Sequence, residues 1–140
     1  MKRTPLHWIV VAATLAALLG FGLLGTVVTP APEGYGTHEQ LGLPPCSSME
    51  RFGVPCPGCG VTTSVALAAH GHLLAAFRNQ PFGLLVALAG ALLVPWTLFG
   101  LLRGRDLGQG LERLATRPAL ISLAAAFLGA WIYKLWIVLG

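Results

Sequence analysis

The sequence predicts an all-α integral membrane protein: a bundle of three transmembrane helices with an outward cysteine-containing loop and an interfacial or re-entrant helix. Hydrophobic residues make up 55% of the chain and charged residues only 10%, where a soluble domain carries about a quarter charged. Three segments run almost without charge for about twenty residues each, the length that crosses about 30 Å of hydrocarbon. The basic residues gather beside these segments and not along a face of their own. At 140 residues the chain reads as a single membrane domain, 1–140.

The first span is expected at 8–28, from Trp8 to Val28, with no ionisable side chain inside it. Lys2 and Arg3 precede it as in a secretory leader, but its apolar core exceeds the roughly 7–15 residues of a signal peptide. It therefore reads as an uncleaved anchor.

The outward loop covers 29–81. Its first half, to Gly60, is dense in proline and glycine and is expected to be turns without a regular element. From Val61 to Phe77 it becomes rich in alanine and leucine. A helix is expected at about 62–77, with Thr62, Thr63 and Ser64 as N-cap candidates. Seventeen residues reach about 25 Å, marginal for a crossing, and a crossing would place the following arginines outside. The segment is read as lying in the interface or dipping partway.

The second span is expected at 82–102, with Pro95 as a kink. A cytoplasmic loop, 103–118, follows. The third span, 119–139, is interrupted by Lys134, read as snorkelling to the boundary beside an aromatic belt of Trp131, Tyr133 and Trp136. Each span carries small residues at four-residue spacing: Ala12, Ala16 and Gly20; Gly83, Ala87 and Ala91; Ser122, Ala126 and Ala130. Such stripes let helices approach closely in lipid.

The net charge of +4 does not point to nucleic acid. Six of the nine basic residues are Lys2, Arg3, Arg103, Arg105, Arg113 and Arg117, flanking the spans. By the positive-inside rule they place the N-terminus and the 103–118 loop in the cytoplasm and the cysteine loop outside. The expected location is a cell membrane, crossed several times, with the lipid bilayer and a membrane or envelope protein as partners.

The chemistry-bearing residues are Cys46, Cys56 and Cys59, within Val54-Pro55-Cys56-Pro57-Gly58-Cys59-Gly60-Val61-Thr62. Pro57, Gly58, Gly60 and Thr62 supply the turn that brings the paired cysteines together. One use is redox: Cys59, just before the helix start, is expected to be held as a thiolate by backbone N–H groups and the helix dipole, with Cys46 as resolving partner. A second is a metal knuckle for zinc or copper. Zinc prefers four ligands, and His70 and His72 are the candidates for the fourth. The third is a staple without metal: a disulfide from Cys46 closing the loop, worth about 3 kcal/mol in the chain-entropy model.

At these residues the chain resembles the domain of unknown function 2752 family of small bacterial membrane proteins. Members show a cysteine, some ten residues, Leu-Pro-Cys-Pro-x-Cys-Gly-x-Thr-Arg, a Gly-containing helix and an Asn-Pro before a span. The matching string runs from Cys46 through Thr62, then Gly71, Ala76 and Asn79-Gln80-Pro81. Thr63 stands where an arginine is usual, and Gln80 is inserted before Pro81. The resemblance implies a bacterial inner membrane and brings no activity with it.

Function is read two ways. The first is a non-enzymatic component whose cysteine-stabilised loop docks a partner protein or lipid, since no paired carboxylates, Ser/His/Asp set or phosphate loop is evident. The second is thiol–disulfide exchange or metal handling through Cys46, Cys56 and Cys59. Transport is not indicated, because with Lys134 snorkelling no span holds a buried ionisable residue.

Overall fold

Each long helix starts at a proline placed one or two residues after a polar residue. This is where a missing N–H costs nothing and a fixed φ suits the first turn. In the computed structural model, which describes residues 3–140, α1 covers Pro5–Thr26 behind Thr4, whose Oγ1 accepts from His7 N. A second long helix covers Pro81–Leu102 behind Gln80, and a third Arg117–Leu139 behind Thr116. All three are long and apolar enough to cross a membrane. They begin earlier than the apolar runs because the cap and proline set the start. Lys2, used in the charge reading, lies outside the described residues.

The stretch expected to be irregular holds two short elements. A 3₁₀ turn spans Thr37–Leu41, and α2 spans Ser47–Phe52. The expected helix over 62–77 is instead a pair, α3 (Val61–Ala69) and α4 (Leu73–Asn79). Gly71 breaks it: at φ +83° it adopts a left-handed conformation that other residues resist, and His72 N closes the turn on Leu67 O at 2.8 Å. At nine residues, α3 is about 13 Å long and cannot cross a bilayer. The second long helix is thus α5. The loop expected at 103–118 contains α6, Leu107–Leu114, and the third long helix is α7.

The centre of the bundle is α5, which packs on α1, α3, α4 and α7, while α1 also meets α3 and α6. Gly83 lets α3 approach: a Cβ there would meet Ser64 Cβ at 2.6 Å and Val61 O at 3.0 Å. Gly90 admits the Phe21 ring in the same way. Between α1 and α5, Thr14 Oγ1 donates to Val10 O and shares a 2.8 Å hydrogen bond with Thr97 Oγ1.

The small-residue stripes are only partly the packing faces. Gly83, Ala87 and Ala130 are buried, but Ala12, Ala16, Ala91, Ser122 and Ala126 are exposed. In α1 the buried side is His7, Val10, Thr14 and Leu24. That side was chosen by the polar partners and large side chains α1 meets on α5 and α6, which a spacing of alanines does not encode. The remaining surfaces of the spans are apolar all round, with Leu19, Val27, Leu92, Ile121 and Trp136 exposed, as expected of a multi-pass protein in lipid.

Candidate functional site

The cysteine motif sits where the loop between α1 and α3 folds over the start of α3 and the end of α4. Cys46 is the N-cap of α2, and its carbonyl accepts from Glu50 N at 3.0 Å without a side-chain cap hydrogen bond. The turn Cys56-Pro57-Gly58-Cys59 is closed by Cys59 N donating to Cys56 O at 2.9 Å. Gly60, at φ +86°, then caps α3. The three cysteines line one open hollow of about 360 Å³, together with Gly58, Gly60, Thr62 and His38.

The thiols differ in proton affinity, in an order the sequence does not suggest. Cys46 is held below the ordinary thiol range, first by the Met49 N–H, with help from the neighbouring Cys56 thiol. Cys56 is pushed up by burial and then by Cys46. Cys59 is 5% exposed; burial, then the neighbouring Cys46 and Cys56, pushes it up to about 11, and the Lys134 ammonium only partly opposes this. The expectation of a Cys59 thiolate is therefore overturned. Burial outweighs the start of α3, and the thiol held low is that of Cys46, at the start of α2. Ser47 and Glu50 form the Ser-x-x-Glu pattern of a helix start, a signal for α2 that was available in the sequence.

His70 and His72 are not brought to the thiols. They sit at the far end of α3, about 13 Å of helix away from Cys59. His70 Nδ1 donates to Ala66 O at 2.8 Å, and His72 lines a separate hollow with Gly71 and Arg78. The histidine that shares the cysteine hollow is His38, whose Nε2 donates to Pro44 O at 3.1 Å. It lies eight residues before Cys46, and no spacing rule singles it out. Among the described residues no group of three or more His, Cys, Asp or Glu is placed to hold a metal ion.

Thr62, Thr63 and Ser64 do not cap α3, which starts without a side-chain cap. Thr63 and Ser64 are buried and tie α3 to its neighbours. Thr63 Oγ1 shares a 2.7 Å hydrogen bond with Thr37 Oγ1, which in turn accepts from Ala31 N. Ser64 Oγ donates to Ala76 O and accepts from Asn79 Nδ2 at 2.9 Å. Asn79 Nδ2 also donates to Gly60 O at 3.1 Å.

Beneath the hollow lies Lys134, which does not snorkel. It is 2% exposed, and its Nζ donates to Asn79 Oδ1 at 2.8 Å, Gly34 O at 3.0 Å and Asn79 O at 3.4 Å. The aromatic neighbours assist: Trp131 Nε1 donates to Pro55 O at 2.9 Å and Tyr133 OH to Arg78 O at 2.9 Å. These bonds fasten α7 to the cysteine loop and α4. A span thus holds a buried ionisable residue after all, its ammonium surrounded by carbonyl oxygens. Gly34 and Gly60 make room, since a Cβ on Gly60 would lie 3.1 Å from Lys134 Nζ and 2.8 Å from Gly34 O.

Residues 46–94 match the family model described as "Protein of unknown function (DUF2752)", the family that the cysteine motif resembles. The match takes in Cys46 to α4 and the first part of α5, the elements that build this site. No curated protein and no solved structure matches the chain.

Proposed function

We propose that the chain is a membrane-anchored thiol–disulfide exchange component acting on a partner protein's cysteines through Cys46 and Cys56. The observation that carries this reading is that three thiols of unequal proton affinity line one open hollow, with the lowest on the partly exposed Cys46. The thiolate is the attacking form, so the nucleophile is Cys46.

The step balances without a further reagent. The Cys46 thiolate attacks one sulfur of the partner's disulfide, that S–S bond breaks, and the other partner sulfur leaves as a thiolate that takes a proton from water. Cys56 then loses its proton and attacks Cys46 Sγ. The Cys46–Cys56 disulfide forms and the partner's second sulfur is released as a thiol. Two electrons and two protons pass to the partner, and the reverse sequence oxidises it. Buried Cys59 stays protonated and takes no part in the exchange.

The docking role read from the sequence supplies the other half of the proposal. Leu43, on the wall of the hollow, and Phe52, on α2, are 53% and 76% exposed. Such apolar groups beside a reactive cysteine suit a partner that must be held while its disulfide reaches Cys46. The outward orientation of the loop, in an oxidising compartment that permits disulfides, belongs to the same reading.

The test uses the full chain in detergent with oxidised glutathione as the probe. A variant retaining only Cys46 should form the glutathione adduct at neutral pH faster than variants retaining only Cys56 or only Cys59. The largest influences, the Met49 N–H for Cys46 and burial for Cys56 and Cys59, survive removal of the other thiols. Equal or faster reaction of the Cys59-only protein would overturn the assignment.

A further inference from the structure

At the other end of the bundle, α6 folds back against α5 and α1. Leu107 fills the space over Gly100, where a Cβ would collide with it, and Gly110 lets the Trp96 ring approach to 2.9 Å of a Cβ position. Two neighbouring hollows result, both bordered by Trp96. One, of about 670 Å³, is lined by Arg105, Gln109 and Arg113 with Trp96 and Phe99. The other, of about 470 Å³, is lined by Leu92, Pro95, Trp96, Leu111 and Leu114.

The charge of the first hollow is positive. Its one carboxylate, Asp106, already accepts from Thr4 N, Thr4 Oγ1 and Gly108 N, each at 2.8 Å. The two guanidinium groups are exposed and face a space with no other anion in its lining. The second hollow carries no charged side chain. It follows α5 from Trp96 to Leu92, which is ten residues and about 15 Å from Leu102. Its walls are open to the surroundings of the span, where Leu92 is 69% exposed.

We propose that this groove seats an anionic phospholipid, its phosphate on Arg105 and Arg113 and an acyl chain over Leu92, Pro95, Leu111 and Leu114. A free phosphate or a soluble anion would use the cationic hollow alone and leave the apolar one unfilled. A zwitterionic lipid would bring its own cation against the arginines. The planar guanidinium forks match phosphate oxygens bidentately, and Trp96 stands at the junction, the depth at which an amphipathic ring is favoured. The site is separate from the cysteine hollow and does not depend on its function.

The experiment is native mass spectrometry of the full chain, released from detergent containing equal amounts of phosphatidylglycerol and phosphatidylcholine with the same acyl chains. Phosphatidylglycerol should be retained about tenfold over phosphatidylcholine, the preference expected of two arginines at a lipid surface. R105Q/R113Q should abolish that preference, R105K/R113K should keep most of it, and Leu111→Gln should lower retention of both lipids. Soluble glycerol phosphate at the same concentration should displace neither. Equal retention of the two lipids by the unaltered chain, an unchanged preference in R105Q/R113Q, or displacement by glycerol phosphate would each overturn the proposal. All the substituted side chains are at the surface, and unchanged helical circular dichroism would verify that the comparison is between folded proteins.

Discussion

The two ends of the bundle are both held together by polar contacts, but they use them in opposite ways. At the cysteine end, Lys134, Asn79, Ser64 and Thr63 are turned inward, and a buried ammonium is shared among carbonyl oxygens from two segments. At the α6 end one buried side chain, His7, accepts from Leu107 N at 3.2 Å, while Asp106 clasps Thr4 in a partly buried contact and Arg105 and Arg113 stay exposed. A buried donor is expensive to leave unpaired, so the inward network fixes geometry. A clasp that is only partly buried adds less stability and leaves the neighbouring charges available to bind something else. The cysteine end is tied by buried hydrogen bonds, and the α6 end keeps exposed charges.

The largest effect should come from Lys134→Met. It keeps the length of the side chain but strips Gly34 O and Asn79 Oδ1 of their donor, which should cost about 3 kcal/mol. Denaturant titration of the purified protein in mixed micelles would read this directly. Stability equal to that of the unaltered chain would break the comparison at its rigid end.

Asn79→Ala should cost somewhat less, about 2 kcal/mol, because Lys134 keeps Gly34 O while Gly60 O and Ser64 Oγ lose a donor. It should also loosen the cysteine hollow, seen as faster alkylation of Cys59 than in the unaltered chain. Unchanged Cys59 protection would mean that the network does not position the motif.

The smallest effect is expected for Asp106→Asn, a slight loss of stability at neutral pH. The Thr4 N–H, ahead of its hydroxyl, holds the Asp106 carboxyl below its ordinary range. The clasp therefore contributes above the unfolded carboxylate's titration and fades as pH falls through the lower folded value. The difference between Asp106→Asn and the unaltered chain should shrink in acid. A loss rivalling that of Lys134→Met would contradict the contrast between the ends.

How much of this was legible in the sequence follows the same divide. Charge-free length found all three spanning helices, and the Cys-x-x-Cys spacing found the motif, because both signals are local. What escaped is what depends on meeting another element. Lys134 looks like a boundary lysine until the loop carrying Gly34 folds over it. Thr63 and Ser64 have cap chemistry but point at Thr37 and Asn79. Gly71 divides one expected helix into two, and Gly60 and Gly34 matter for the ammonium between them. The thiol order was inverted because a helix start was weighed without burial, which dominates at Cys59. His38 enters the hollow through a turn that brings it beside Pro44, and nothing in its neighbours' spacing announces that.

An exchangeable Cys46–Cys56 pair would show itself in a redox titration. The full chain in nanodiscs would be equilibrated with glutathione buffers of graded potential, quenched by alkylation, and its Cys46–Cys56 disulfide quantified by mass spectrometry. A reversible transition is expected at a potential above about −300 mV, where labile pairs lie and structural disulfides do not. The transition should persist in a Cys59→Ser variant and disappear in Cys46→Ser. A Cys46–Cys56 bond that resists every glutathione buffer, or that never forms, would contradict an exchangeable pair.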